Sequence, residues 1–253
     1  MSRDDIGDRF KDYEASFDYT LPRRVPMIIR VDGRAFHGIN LEKPFDEQFW
    51  EYMAATAVAL CKEIQGAVMA YFQSDEISIV VRDDFDDRTE AWMKKRLSKI
   101  LSLSAATASV SFNAAVRGAL IQRNIGDRQF DSRVLLVPSV SEVVNYMIWR
   151  QQDAMRNSIS MVAQSIFTQG QLNGVPTIDL LEMIRDAGHP WEDYALKFQR
   201  GCVVHKIATI SPFVDPRNGS VVTPTRRHWN VDIGTPIFTE HRDYLKSIYE
   251  NHP

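Results

Sequence analysis

The sequence contains only two cysteines in 253 residues, Cys61 and Cys202. They fit neither a zinc-ligand spacing nor a disulfide framework, and each lies among apolar neighbours, so both are expected to be buried, reduced thiols. Long apolar runs are also absent: none approaches the roughly 18–20 residues a membrane helix needs, so no membrane association is expected. There is no strong charge bias, the net charge being −3, and hence no global signature of a nucleic-acid binder. Repeats, low-complexity tracts and long linkers are lacking too. Residues 1–16 are polar and charged rather than leader-like, and a cytoplasmic location is the expectation.

What is present is ordinary for a globular chain: 44% hydrophobic and 25% charged residues, enough to bury a core without a metal or disulfide staple. Basic residues cluster at Arg23-Arg24, at Lys94-Lys95-Arg96 with Lys99, and at Arg226-Arg227-His228. Each cluster alone reads as solvated surface; an RNA would have to be held by several, joined across subunits.

Periodicity orders the first half. Residues 25–31 form an apolar run ended by Asp32-Gly33, a strand. A helix follows Pro44, with Phe45, Phe49, Trp50, Met53, Ala57, Val58, Cys61 and Ile64 at helical spacing and Asp46 as its cap. Residues 67–72 and 77–81 form the arms of a hairpin around Gln73-Ser74-Asp75-Glu76. A second long helix is expected from Trp92 to about Val116, and a fourth strand over 133–137. The order strand, helix, strand, strand, helix, strand predicts an α+β fold, the ferredoxin-like βαββαβ palm of polymerases and cyclases. Further on, a helix is expected over about 140–168, a short one from a Thr177 cap to a Gly188 stop, a strand over 202–207, and a turn-rich tail. Residues 1–138 are thus expected to be the palm-like catalytic domain, and 139–253 a helical and strand-containing extension packed on it as one compact unit.

In such a sheet the spatial order is 4-1-3-2, so the end of strand 1 adjoins the start of strand 3. That brings Asp32 and Asp75 to one edge although more than forty residues separate them, with Glu76 a third carboxylate nearby. An isolated Asp-Gly is usually just a turn; the second acid in the matching slot makes it a candidate site. Clustered carboxylates repel unless a cation intervenes, and hard oxygen ligands select magnesium or manganese. Two such ions can drive an in-line phosphoryl displacement. Gly33 permits close backbone approach and offers its carbonyl as a further ligand.

Four segments in series, Arg30-Val-Asp-Gly-Arg-Ala-Phe-His37, Tyr71-Phe-Gln-Ser-Asp-Glu76, Phe130-Asp-Ser-Arg-Val134 and Trp149-Arg-Gln-Gln-Asp153, resemble the tRNA-histidine guanylyltransferase family over residues 20–210. The resemblance implies an enzyme that extends RNA at its 5′ end, with ATP or GTP as substrates, two Mg2+ ions and tRNA as partner, and a homotetramer built as a dimer of dimers. It implies Asp32, the Gly33 carbonyl and Asp75 as metal ligands, with Glu76 a further catalytic acid. The nucleotide would be held by the segment Arg34, Ala35, Phe36 and His37, by Lys43 on the triphosphate and by Ser74. Lys99, Arg133 and Asn157 would meet a second nucleotide or the RNA 5′ phosphate. For Phe36 a core role, and for His37 a surface role, is equally open. Arg30 either contacts phosphate or pairs with a local acid, and Arg150 and Asp153 suit an ion pair one turn apart.

Members specific for tRNA-histidine carry a His- and Asn-rich stretch after the Trp-Arg-Gln segment. Here it reads Ala154-Met-Arg-Asn-Ser-Ile-Ser-Met161, with Met155 in the histidine position and Asn157 retained. The chain therefore resembles the bacterial and archaeal-type members that repair truncated tRNA 5′ ends on a template. A histidine-specific guanylyltransferase is the first alternative. A nucleotide cyclase sharing the palm is the second, although the Gly-Gly-Asp/Glu-Glu-Phe hairpin of diguanylate cyclases is missing. A catalytically dead RNA-binding module is disfavoured by the retained acids.

Overall fold

The computed structural model describes residues 5–119, 124–210, 212–214, 216–217 and 219–251. An N-terminal helix, α1 (Ile6–Ala15), precedes the palm elements: β1 (Met27–Gly33), α2 (Glu47–Glu63), β2 (Ala67–Gln73), β3 (Glu76–Val81), α3 (Leu97–Gly118) and β4 (Phe130–Leu136). These follow the expected βαββαβ order. There follow α4 (Val140–Ile166), α5 (Gln169–Leu172), α6 (Thr177–Asp186), α7 (Leu196–Arg200), β5 (Cys202–Ile210), a two-residue ribbon of β6 (Phe213–Val214) and β7 (Val221–Val222), β8 (Thr225–Asp232) and α8 (Arg242–Glu250).

The main sheet runs β4-β1-β3-β2-β5-β8 and is antiparallel throughout. The inner four strands stand in the 4-1-3-2 order expected, and the β5–β8 hairpin widens the sheet beyond β2. Alternation along β1 sends Met27, Ile29 and Val31 into a core shared with α2 and α3, and Ile28 into a second core beneath α4 and α8. Both faces of β1 and β3 are therefore covered, which is why these strands read as near-continuous apolar runs. Phe112 of α3 is fully buried at the centre of the first core, a contribution of about 2–3 kcal/mol. Gln151 of α4 donates to Pro236 O and accepts from Phe238 N, tying the C-terminal segment to α4.

Asp46 caps α2 as expected, accepting from Phe49 N at 2.9 Å. Elsewhere the boundaries differ. The second helix begins at Leu97, not Trp92, because Met93, Lys94 and Lys95 all take left-handed conformations. That turn buries the Lys95 ammonium 3.4 Å from Asp83. Strand β4 begins three residues early, at Phe130, and α6 starts after Pro176 without a side-chain cap. Helices α1 and α8 were not expected; residues 1–4 of the polar opening lie outside the described ones. Among the described residues no helix is long and apolar enough to cross a membrane. Both cysteines are buried and unpaired.

Candidate active site

Strand register places three carboxylates abreast. Asp32 of β1 is the direct neighbour of Glu76 on β3 and of Asp131 on β4. One pleat repeat back, Arg30 stands between Ser78 and Arg133. An acidic row thus lies beside a basic one on the face that α4 covers. Like charges directly opposite are unfavourable, and two of the three acids have a cation. Arg150 of α4 grips Glu76 through two hydrogen bonds of 2.7 Å, with Arg30 3.8 Å from the same carboxylate. Arg133 lies 3.7 Å from Asp131.

Asp75 occupies the two-residue turn between β2 and β3. Its carbonyl accepts from Gly33 N at 3.0 Å, continuing the β1–β3 ladder into the turn. Burial, with the charges of Asp32 and Glu76, lifts the Asp75 carboxyl up to about 6. Burial also holds Glu76 above its ordinary value, opposed by Arg150. Ser74 completes the turn in a left-handed conformation, φ 47°.

Gly33 is dictated by packing: a Cβ there would lie 2.5 Å from the Phe36 ring. Phe36 is only 5% exposed and meets Phe49, Phe112 and Phe130 edge-on at 5.1–6.0 Å. Its ring is core, the role that competed with a base pocket in the sequence. Its rim, with Gly33, His37, Ser74 and Asp75, lines a cleft of about 320 Å³. Beside it, a cavity of about 90 Å³ is lined by Ser74, Asn157, Trp50 and Lys197, among others. Lys43 lines a third hollow, of about 170 Å³, which shares Ile39 and Leu41 with the first cleft.

The chain therefore gathers Asp32, Gly33, His37, Ser74 and Asp75 at one edge, with Lys43 and Asn157 in adjoining hollows and Arg30 and Arg133 on the basic row. Ala35 turns the chain off β1 in a left-handed conformation, φ 57°, and Arg34 is exposed and pairs with Gln129. Lys99 is the exception. It sits in the first turn of α3, whereas that helix meets the site through Ser109, which bonds Phe130 N, and Phe112. The step of ten positions from Lys99 to Ser109 spans about 15 Å of helix, and α3 covers the opposite face of the sheet. A single chain does not bring Lys99 to the acids, because α3 starts at the end of the sheet where β1 begins.

Three participants went unanticipated. Asp131 was legible, standing two residues before Arg133 on an alternating strand. Arg150 was paired in sequence with Asp153, to which it does bond at 2.9 Å; its bidentate grip on Glu76, 74 positions away, left no local signal. Lys197, stacked 4.1 Å over Trp50 and paired with Glu47, reaches its cavity from α7.

The donor set fits a hard cation. Asp32, Asp75 and the Gly33 carbonyl offer oxygen ligands only, and a nearby cation would offset the burial and the Asp32 and Glu76 charges that raise Asp75. Among the described residues no group of three or more His, Cys, Asp or Glu side chains is placed to hold a metal ion.

A family model, tRNAHis guanylyltransferase (Thg1), matches residues 7–138, just over half of the chain. This chain belongs to the tRNAHis guanylyltransferase family. Its members are nucleotidyltransferases. A solved bacterial tRNA(His) guanylyltransferase (Thg1)-like protein in complex with ATP is 36% identical and superposes with a TM-score of 0.84, over 96% of this chain and 98% of that one. A second such structure, in complex with GTP, gives a TM-score of 0.78 at 36% identity over 96% of this chain and 99% of that one. The probable human tRNA(His) guanylyltransferase is 31% identical over 189 residues, 69% of this chain and 61% of the human protein. The chain thus spans about three-fifths of the human protein's length.

Proposed function

We propose that this family member is a template-dependent 3′-to-5′ nucleotidyltransferase that restores nucleotides to the 5′ ends of truncated tRNAs. The observation that carries this is the pair of rows on β4, β1 and β3: acids suited to magnesium, beside arginines suited to phosphate. In the activation step a 5′-phosphate oxygen of the RNA bonds to the α-phosphorus of ATP or GTP, and pyrophosphate leaves. In the addition step the 3′-hydroxyl of an incoming nucleotide attacks the activated 5′ phosphate, releasing the nucleoside monophosphate and a proton. Both are in-line displacements at phosphorus, so one site serves both.

Asp32, Asp75 and the Gly33 carbonyl would hold two Mg2+ ions, which supply charge neutralisation and an activated nucleophile when bound. Glu76, tied to α4 by Arg150, would be the further catalytic acid beside them. Lys43 and Ser74 border the hollows that a triphosphate would occupy, and Arg30 and Arg133 offer guanidiniums to the second phosphate group. Residues 1–138 and 139–253 act as one catalytic unit. A homotetramer would pool the separate basic clusters of a chain whose net charge is −3, and the cytoplasm, where tRNA resides, would be the compartment.

Met155 in place of the histidine favours repair over histidine-specific addition. The test is nucleotide incorporation, with Mg2+, into two tRNAs of different anticodon, each lacking its first nucleotide. Addition to both, complementary to the opposing base, is expected. Strict dependence on the histidine anticodon would establish the specific guanylyltransferase instead, and cyclic products from ATP or GTP without RNA would establish a cyclase.

A further inference from the structure

An exposed indole stands beside the arginine row. Trp149 is 48% exposed, the most exposed of the large apolar side chains on α4. Its position is fixed on two sides: the Arg150 guanidinium lies 4.5 Å over one ring face, and Tyr146 meets it edge-on at 5.7 Å. With one face covered, the exposure belongs to the other face and the rim. Tyr146 is itself anchored by a 2.9 Å hydrogen bond to Ser78, the cross-strand neighbour of Arg30. Arg30 is largely buried yet keeps an Nε donor that has no hydrogen-bond partner among the described residues. The same guanidinium lies 3.8 Å from Glu76 through Nη1, so one carboxylate does not use all of its donors. Trp149 is thus linked through Tyr146 and Ser78 to the strand positions of Arg30 and Arg133, which form a shelf of β1 and β4 beside α4.

We infer that this shelf is a nucleotide subsite in which Trp149 stacks on a nucleobase whose phosphate is taken by Arg30 and Arg133. A π-face accepts every base, as an enzyme acting on many 5′ ends requires, and an indole pre-set by Arg150 and Tyr146 loses little freedom on binding. The base belongs either to the RNA 5′ end or to the incoming nucleotide; the chemistry is the same. The inference rests on the proposed 5′-end activity, and Trp149 acts as a positioning residue for it.

The test compares wild type, Trp149→Phe and Trp149→Ala on 5′-truncated tRNA, varying the RNA and the nucleoside triphosphate separately. A truncated tRNA carrying 2-aminopurine as its first base serves as a binding probe without nucleotides. In Trp149→Ala the KM for one of the two substrates should rise roughly tenfold with kcat little changed, and Trp149→Phe should recover most of it. A rise for the RNA, with loss of 2-aminopurine quenching, assigns the base to the RNA end; a rise for the triphosphate alone assigns it to the incoming nucleotide. If Trp149 only braces the Arg150–Glu76 pair, kcat falls and neither KM moves, which overturns the inference, as does unchanged behaviour in Trp149→Ala. Wild type that extends no truncated tRNA overturns the proposed activity itself, and the subsite with it.

Discussion

Arg150 and Glu76 form a side-on pair, Nε to one carboxylate oxygen and Nη2 to the other, each at 2.7 Å. The pair is buried and joins α4 to the strand next to Asp32. Removing one partner leaves an uncompensated charge in the interior, at a cost of about 3–5 kcal/mol. Arg150→Met should lose that much stability in chemical denaturation, and Glu76→Gln with Arg150→Met together less than the sum of the two. Additive losses would show that the two side chains do not act as a pair.

The Asp75 carboxyl is raised from 3.8 to about 6. Between those values the native state binds more protons than the unfolded one, so this group's contribution falls as pH rises through that window. At pH 7.5 Asp75→Asn should therefore stabilise the protein in the absence of divalent cations, by about 1–2 kcal/mol, and the gain should vanish below pH 4. Mg2+ should raise the melting temperature of wild type more than that of the variant. A variant less stable than wild type at pH 7.5 would contradict this.

Ser74 holds φ 47° in a two-residue hairpin turn, a conformation that favours glycine. Ser74→Gly should stabilise the fold by about 0.5–1 kcal/mol while lowering nucleotide addition through loss of the hydroxyl beside Asp75. Thermal melts and steady-state rates on the same preparations separate the two effects. Undiminished turnover would remove Ser74 from the site.

Burial pushes the Cys202 thiol up to about 12 and Cys61 higher still. Neither is a thiolate at neutral pH, so native protein at pH 8 should resist a disulfide reagent, and both thiols should react once denatured. Release of one thiol equivalent within minutes from folded protein would show an exposed cysteine.

The palm and its acid pair were legible because two codes agree: period-two apolar strands fix the faces, and the turn residues at 32–33 and 73–76 fix where the strands stop. What escaped depended on tertiary choices. Helix α1 buries none of its residues, and α8, although it packs Tyr244, Leu245, Ile248 and Tyr249 on the second core, is only nine residues long, too short for its stripe to stand out in a turn-rich tail. The left-handed run Met93–Lys94–Lys95 is held by the burial of Lys95 against Asp83, and no local propensity announces it. Lys99 shows a related limit: periodicity locates a helix but not which end of it reaches the site.

Strands β1 and β3 lie inside the sheet, each hydrogen-bonded on both sides, by β4 and β3 and by β1 and β2. Their amides can exchange with solvent only when the whole fold opens, and they should rank among the slowest in the molecule. The stretch from Arg34 to Asp46 is anchored by the Arg34–Gln129 bond, the buried Phe36 ring and the buried Asp46, but lies in no strand ladder, so its amides between those anchors should exchange sooner. Under the proposed function, a rigid acidic floor beside a looser loop would let nucleotides of different size enter without disturbing the carboxylates that face them.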